Sequence, residues 1–166
     1  MGTRGEMETE VDRVHHVVWC VHGENLERVR AYWERALGLT MVDIELPDRG
    51  LHVLLAWDAG IEIVAPTAVG GGGATAVNAV LAERGEGVYA IVYSVASIDE
   101  ARSRLEGEGA ELVFEETVPP DVARQRGIVA ADQPSFTIRQ AQFRDALGMG
   151  ICLQELTGEA TAPFPS

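Results

Sequence analysis

The sequence holds only two cysteines among its 166 residues, and both Cys20 and Cys152 sit inside apolar, strand-like runs. Buried free thiols behave as small core residues, so neither a disulfide framework nor a zinc site is expected, and the reducing cytoplasm is the default compartment. Positive charge is scarce. Thirteen Lys and Arg against 26 Asp and Glu leave a formal net charge of −13, which repels a phosphate backbone and excludes nucleic acid as a partner. No apolar run reaches the roughly 18–20 residues that span a bilayer, so no membrane partner is expected. The first twelve residues lack the basic and apolar regions of a signal peptide. Glu6 stands where a myristoylation signal after Gly2 needs Ser or Thr. The glycine run Gly70–Gly73 is not followed by the Lys-Ser/Thr of a phosphate-cradling loop. No serine sits in a nucleophile elbow, so covalent catalysis of that kind is set aside.

What is present is a repeat. Val14–Val21 is β-branched and aromatic-rich and reads as a strand. Asn25 is placed to cap a helix with Leu26, Val29, Ala31–Trp33 and Ala36–Leu37 on its apolar side, and Gly38 stops it. Three strand-like runs follow, Thr40–Leu46, Leu51–Trp57 and Ile61–Ala65, separated by the turn clusters Pro47–Gly50 and Asp58–Gly60. The pattern then recurs. Val88–Val95 matches Val14–Val21 position for position in strand character. Ser97 caps a helix bearing Ile98, Ala101 and Leu105, with Gly107 and Gly109 at its end. Strands are expected at Glu111–Glu115, Phe136–Phe143 and Gly150–Leu156, with a loop or lid over Val118–Pro134.

Each half reads β-α-β-β-β. The expected domain covers residues 13–157, with modules 13–67 and 87–157 joined by a flexible glycine connector and a short helix within 68–86. Residues 1–12 and 158–166 read as tails. The class is α+β: an open, curled mixed β-sheet barrel around a ligand cavity, with helices outside, because so few helices cannot cover both faces of eight strands.

Side chains alternate across a strand, so parity selects what faces that cavity. His16 shares a face with Val18 and Cys20, Glu62 with Val64, His52 with Leu54 and Ala56, and Glu155 with Ile151 and Leu153. A carboxylate flanked by Ile61 and Ile63 is costly to bury without a partner. One imidazole and two carboxylates from three strands, His16, Glu62 and Glu155, can ligate a divalent metal or can simply face solvent. His52 suits proton transfer, since imidazole titrates near neutrality. His15 has helix-facing parity, and His22 lies in the turn after the strand.

The duplicated module resembles the vicinal-oxygen-chelate (glyoxalase/bleomycin resistance/dioxygenase) superfamily from Val14 to Thr157, and within it the methylmalonyl-CoA epimerases. Three stretches carry the likeness: Val14–Val17; Ile61–Pro66 with the Thr75–Arg84 helix; and Val95–Leu112. The closing Leu153–Thr157 adds to it. The resemblance implies four metal positions, on the first and last strand of each module. It places His16, Glu62 and Glu155 on three of them, for Co, Ni, Zn, Mn or Fe. Ala90 falls on the fourth and cannot ligate. His52 falls near the general base of those epimerases, although a one-residue slip would turn it to the opposite face. Glu155 joins His52 as a catalytic candidate. The implied function is a small-molecule isomerase or lyase, of epimerase type, moving a proton next to a carbonyl. The alternative is a metal-free protein that sequesters a small molecule. A homodimer is implied as well.

Overall fold

The computed structural model describes residues 11–129, 136–144 and 150–158. The expected tails fall outside these residues, apart from the backbone of Val11–Asp12 and the terminal Gly158.

Strand β1 (Val11–Cys20) leads through a short 3₁₀ turn into helix α1 (Leu26–Leu37), then β2 (Val42–Leu46), β3 (Leu51–Ala56) and β4 (Ile61–Pro66). Helix α2 (Gly72–Arg84) connects to β5 (Gly87–Val95), α3 (Ile98–Gly107), β6 (Glu111–Val118), the short α4 (Pro120–Gln125), β7 (Phe136–Arg144) and β8 (Gly150–Gly158). The strands form one sheet in the order β2-β3-β4-β1-β5-β8-β7-β6. That order reads the same from either end once β1–β4 are exchanged for β5–β8. β1 runs parallel to β4 and β5 parallel to β8, while β1 and β5 meet antiparallel in the middle.

The local signals act mostly as expected. Gly38 adopts φ 69° behind α1, and the Ser97 side chain accepts from the Glu100 amide at the start of α3. Asn25 differs: its backbone is already helical and its side chain makes no cap. It donates instead to Glu86 at 2.8 Å, tying the start of α1 to the β5 entrance. The expected Val118–Pro134 loop contains α4, whose start is pre-set by Pro119-Pro120, since proline's fixed φ suits the first helical turn.

Helices α1 and α3 cover the outer face of the sheet. Trp19, Val21, Leu54, Ile63 and Ala65 pack beneath α1, and Val95, Ala141, Phe143 and Leu153 beneath α3. Helix α2 lies on the concave side, where Val77 and Leu81 join Val18, Cys20, Val64, Ala90 and Val92. The glycine run before α2 serves close approach. A Cβ on Gly50 would collide with the Gly70 carbonyl, and one on Gly71 with the Arg49 carbonyl. The Ala74 amide donates to Arg49 O and the Thr67 amide to Gly50 O. These contacts clamp the β2–β3 turn onto the linker and aim Arg49 into the concavity.

Candidate functional site

The concave face encloses a cavity of ≈ 340 Å³, lined from both modules by His16, Glu62, Arg49, Tyr89, Gln140 and Cys152 among others. A second hollow of ≈ 70 Å³, walled by Ile44, Val53, Trp57, Ile128 and Ile138, shares Arg49, Glu62 and Gln140 with it. These three residues partition the space.

Among the described residues His16 and Gln154 are the polar ones buried in the core, at 2% and 3% exposure. His16 Nε2 lies 3.0 Å from Glu62 Oε2. Its Nδ1 lies 2.7 Å from His15 Nδ1, and His15 Nε2 is 3.1 Å from Gln154 Nε2. Gln140 Nε2 donates to Gln154 Oε1 at 2.9 Å. His15 can join this chain because β1 bulges there. Val14 pairs with Tyr93 and His16 with Val92, so His15 is an extra residue on the bulged strand. Strict alternation would have sent it to the helix layer. The Trp57 ring stands edge-on to both imidazoles, at 6.0 and 5.7 Å between centroids, and its Nε1 donates to Ile128 O.

Burial, followed by the neighbouring His16, drives the His15 pKa down to about 3. Its folded value is below the ordinary 6.5, so the stability that neutral His15 contributes is complete above pH 6.5 and is lost as pH falls toward 3. Urea midpoints measured at pH 7 and pH 5 are expected to fall on acidification, and to fall less in His15→Gln.

Arg49 forms the opposite wall. Its guanidinium lies 4.5 Å from the Phe114 ring centroid and pairs with Glu116. Glu116 also receives Arg126, at 2.8 Å, and Arg126 reaches Asp48, at 2.7 Å. This chain of charges ties the β2–β3 turn of the first module to β6 and the end of α4 in the second. Burial, with Arg126 next, lowers the Arg49 pKa from its ordinary value. Sequence reading did not find this cluster, because its members become neighbours only when the sheet curls. Arg139 on β7 is bound to Asp99 and Glu115 at 2.6 and 2.7 Å.

The structure brings His16 and Glu62 together and separates His52 and Glu155 from them. His52 lies on the α1 side of β3, where Nε2 is 2.6 Å from Asp43, which Arg30 of α1 also binds. Glu155 lies on the α3 side of β8, where Oε2 accepts from the Ile98 amide at 2.8 Å. The reason is parity. The neighbouring residues on their faces, Leu54 and Leu153, pack against the outer helices. A carboxylate on a helix's first free amides suits its dipole and is worth about 1–2 kcal/mol. Glu155→Ala is therefore expected to lower Tm by about 2–8 °C, at about 2–4 °C per kcal/mol for a chain of this size. Calorimetry measures this loss, and ligand binding in the cavity is expected to persist.

The sheet's own symmetry identifies the counterparts of His16 and Glu62. Across the β1–β5 seam Val17 pairs with Ile91, His16 with Val92 and Val18 with Ala90. Exchange of the modules thus maps His16 onto Ala90 and Val18 onto Val92. Val18 faces Glu62 on β4, and Val92 faces Cys152 on β8. Cys152, rather than Glu155, is therefore the counterpart of Glu62. All four positions line the one cavity.

A divalent cation fits this set poorly. Ala90 offers no donor, Glu62 is engaged by His16, and the Cys152 thiol is pushed up to about 12 by burial and by Glu62, whereas a metal ligand must be the thiolate. Among the described residues no group of three or more His, Cys, Asp or Glu side chains is placed to hold a metal ion.

Comparison with known proteins gives the fold a context. The sequence model of the Glyoxalase/Bleomycin resistance protein/Dioxygenase superfamily matches residues 15–129. No curated protein matches the chain. Among solved structures, a protein of Bacillus halodurans C-125 is similar with TM-score 0.61 and 21% identity, covering 90% of this chain and 98% of that one. A variant of Streptomyces coelicolor methylmalonyl-CoA epimerase in complex with 2-nitronate-propionyl-CoA gives TM-score 0.61 and 17% identity, covering 90% and 99%. The methylmalonyl-CoA epimerase of Mycobacterium tuberculosis gives 0.56 and 22%, covering 93% and 91%.

Proposed function

Since this chain belongs to the glyoxalase/bleomycin resistance protein/dioxygenase superfamily, we propose that it is a metal-independent small-molecule enzyme in which the His16–Glu62 pair moves a proton next to a ligand carbonyl. The observation that carries this reading is a buried imidazole hydrogen-bonded to a carboxylate on the cavity wall. A carboxylate steadied by a hydrogen-bonded imidazole and walled by apolar side chains is the type of group that serves general base catalysis. The product class is an epimer or isomer, or an elimination product if a leaving group follows. The roles expected for His52 and Glu155 pass to His16 and Glu62, because only the latter reach the cavity.

The epimerases to which the chain is similar in fold are described with methylmalonyl-CoA and a nitronate analogue. A coenzyme A thioester is not the first choice of ligand here. Its phosphates call for free cations, and Arg49 and Arg126 both hold Glu116. A compact, partly apolar carbonyl compound matches a ≈ 340 Å³ cavity better. The test is proton exchange in D₂O. A panel of 2-substituted keto acids, esters and short acyl thioesters is incubated with protein, and deuterium at the carbon beside the carbonyl is read by NMR. Exchange that depends on Glu62 supports the reading.

A second reading, sequestration of a small molecule without turnover, is favoured by the inert Ala90 and protonated Cys152 on the second half of the site. Tight binding from the same panel without any deuterium uptake would establish it in place of the first. We further propose a cytoplasmic protein, from its two free thiols, and a homodimer, from the family resemblance; sedimentation velocity measures its assembly.

A further inference from the structure

The chain Gln140–Gln154–His15–His16–Glu62 crosses the seam between modules and permits one direction of donation when its histidines are neutral and Glu62 is ionised. A carboxylate only accepts. His16 must then carry its proton on Nε2, which leaves Nδ1 bare. The 2.7 Å contact between the two Nδ1 atoms therefore requires the proton on His15 Nδ1. That leaves His15 Nε2 bare, so Gln154 must turn its amide NH₂ toward it. The Gln154 carbonyl oxygen is then free to accept from Gln140, which is the arrangement observed. Each link forces the next, and the amide orientations at the far end agree with the demand made by the carboxylate at the near end.

We infer that Gln154, backed by Gln140, is a positioning residue of the second module that locks the tautomers of His15 and His16, and that Glu62 rather than His16 is the base presented to the ligand. The inference deepens the proton-transfer reading and rests on it for the base, but the tautomer lock is a property of the ligand-free protein. With Nε2 protonated and Nδ1 occupied, His16 has no lone pair to offer the cavity. Glu62 keeps a carboxylate oxygen with no proton to give. The site therefore takes a ligand that presents a proton to it: a C–H beside a carbonyl, a hydroxyl or an ammonium. In the carbon case the C–H bond breaks and its electron pair stays on the ligand as an enolate. An O–H bond forms on Glu62, and return of that proton to carbon restores the carboxylate. His16 holds the carboxylate through the Nε2–H bond throughout.

Long-range ¹H–¹⁵N correlation NMR of the ligand-free, chelator-treated protein tests this directly. The histidines are His15, His16, His22 and His52; the variants His15→Gln, His22→Gln and His52→Gln assign their own rings, and His16 follows by elimination. The expected result at neutral pH is His15 protonated on Nδ1 and His16 on Nε2. His15 on Nε2, or His16 on Nδ1, would overturn the lock. Gln154→Glu replaces a donor by an acceptor-only group of the same shape. His15 is then forced to donate from Nε2, and its signals are expected to exchange character while His16 takes up a second proton. An unchanged His15 in that variant would equally overturn the inference, and if the variant does not fold, the parent spectrum decides alone. Absence of deuterium exchange with every tested ligand would sink the enzymatic reading and leave the tautomer result standing.

Discussion

Glu62→Gln is expected to reduce the deuterium-exchange rate of the reactive ligand by about 10²–10⁴-fold, the usual worth of a positioned general base. The substitution keeps the shape of the side chain. It also keeps a carbonyl oxygen that accepts from His16 Nε2, so the order of donation along the buried chain is preserved. What it removes is the capacity to hold a proton. Binding affinity is expected to change far less than turnover, because the interaction lost is one made in the transition state. His52→Gln, on the α1 side of β3, is expected to leave turnover within about a factor of two. Its pair with Asp43 is partly exposed and worth under about 1 kcal/mol. Equal losses from the two variants would refute the placement of the chemistry on the concave face. Full activity in Glu62→Gln would move the base elsewhere and return the cavity to a binding role.

The contrast between these residues shows what the sequence could carry. The architecture was legible because β-α-β-β-β occurs twice, and because strand character in Val14–Val21 and Val88–Val95 agrees along its length. Two modules sharing one sheet then follow from covering eight strands with few helices. Which face of each strand looks inward was harder. Around Glu62 the flanking isoleucines fix the parity, since Ile61 and Ile63 must be covered by α1. Around Glu155 they do not: Ile151, Cys152, Leu153 and Leu156 place apolar side chains on both faces of β8, so alternation alone does not say which face meets the cavity. The acidic residue drew the assignment, while the inward position belongs to Cys152, which has no acid-base signature. His15 was misplaced for a different reason. A bulge adds one residue to β1, and nothing in Val14-His15-His16-Val17 announces it. The Arg49–Glu116–Arg126–Asp48 chain was illegible outright, being a consequence of curvature that brings residues from three separate segments to one rim.

Restoring the two missing donors should convert the cavity into a metal site. The variant Ala90→His with Cys152→Glu places imidazole and carboxylate at the symmetry counterparts of His16 and Glu62, giving two His nitrogens and two carboxylates around one cavity. Such a set is expected to retain about one equivalent of Zn²⁺, Co²⁺ or Ni²⁺ through desalting, where the parent protein retains none. With metal at about 100 times the dissociation constant the folded state gains about 2.7 kcal/mol, which raises Tm by about 5–11 °C for a domain of this length. The gain also has a signature along the hydrogen-bond chain. A metal on His16 Nε2 displaces the proton from that atom and breaks the contact to Glu62 as it now stands. The proton must then sit on Nδ1 and be donated to His15, which in turn donates from Nε2 to a reversed Gln154 amide. Metal loading of the double variant should therefore invert both histidine tautomers, while the parent spectrum stays unchanged under the same metal. Loading without inversion would place the ion on some other set of donors. Failure to load at all would mean that Ala90 and Cys152 do not converge with His16 and Glu62, and the symmetry argument would fall with it.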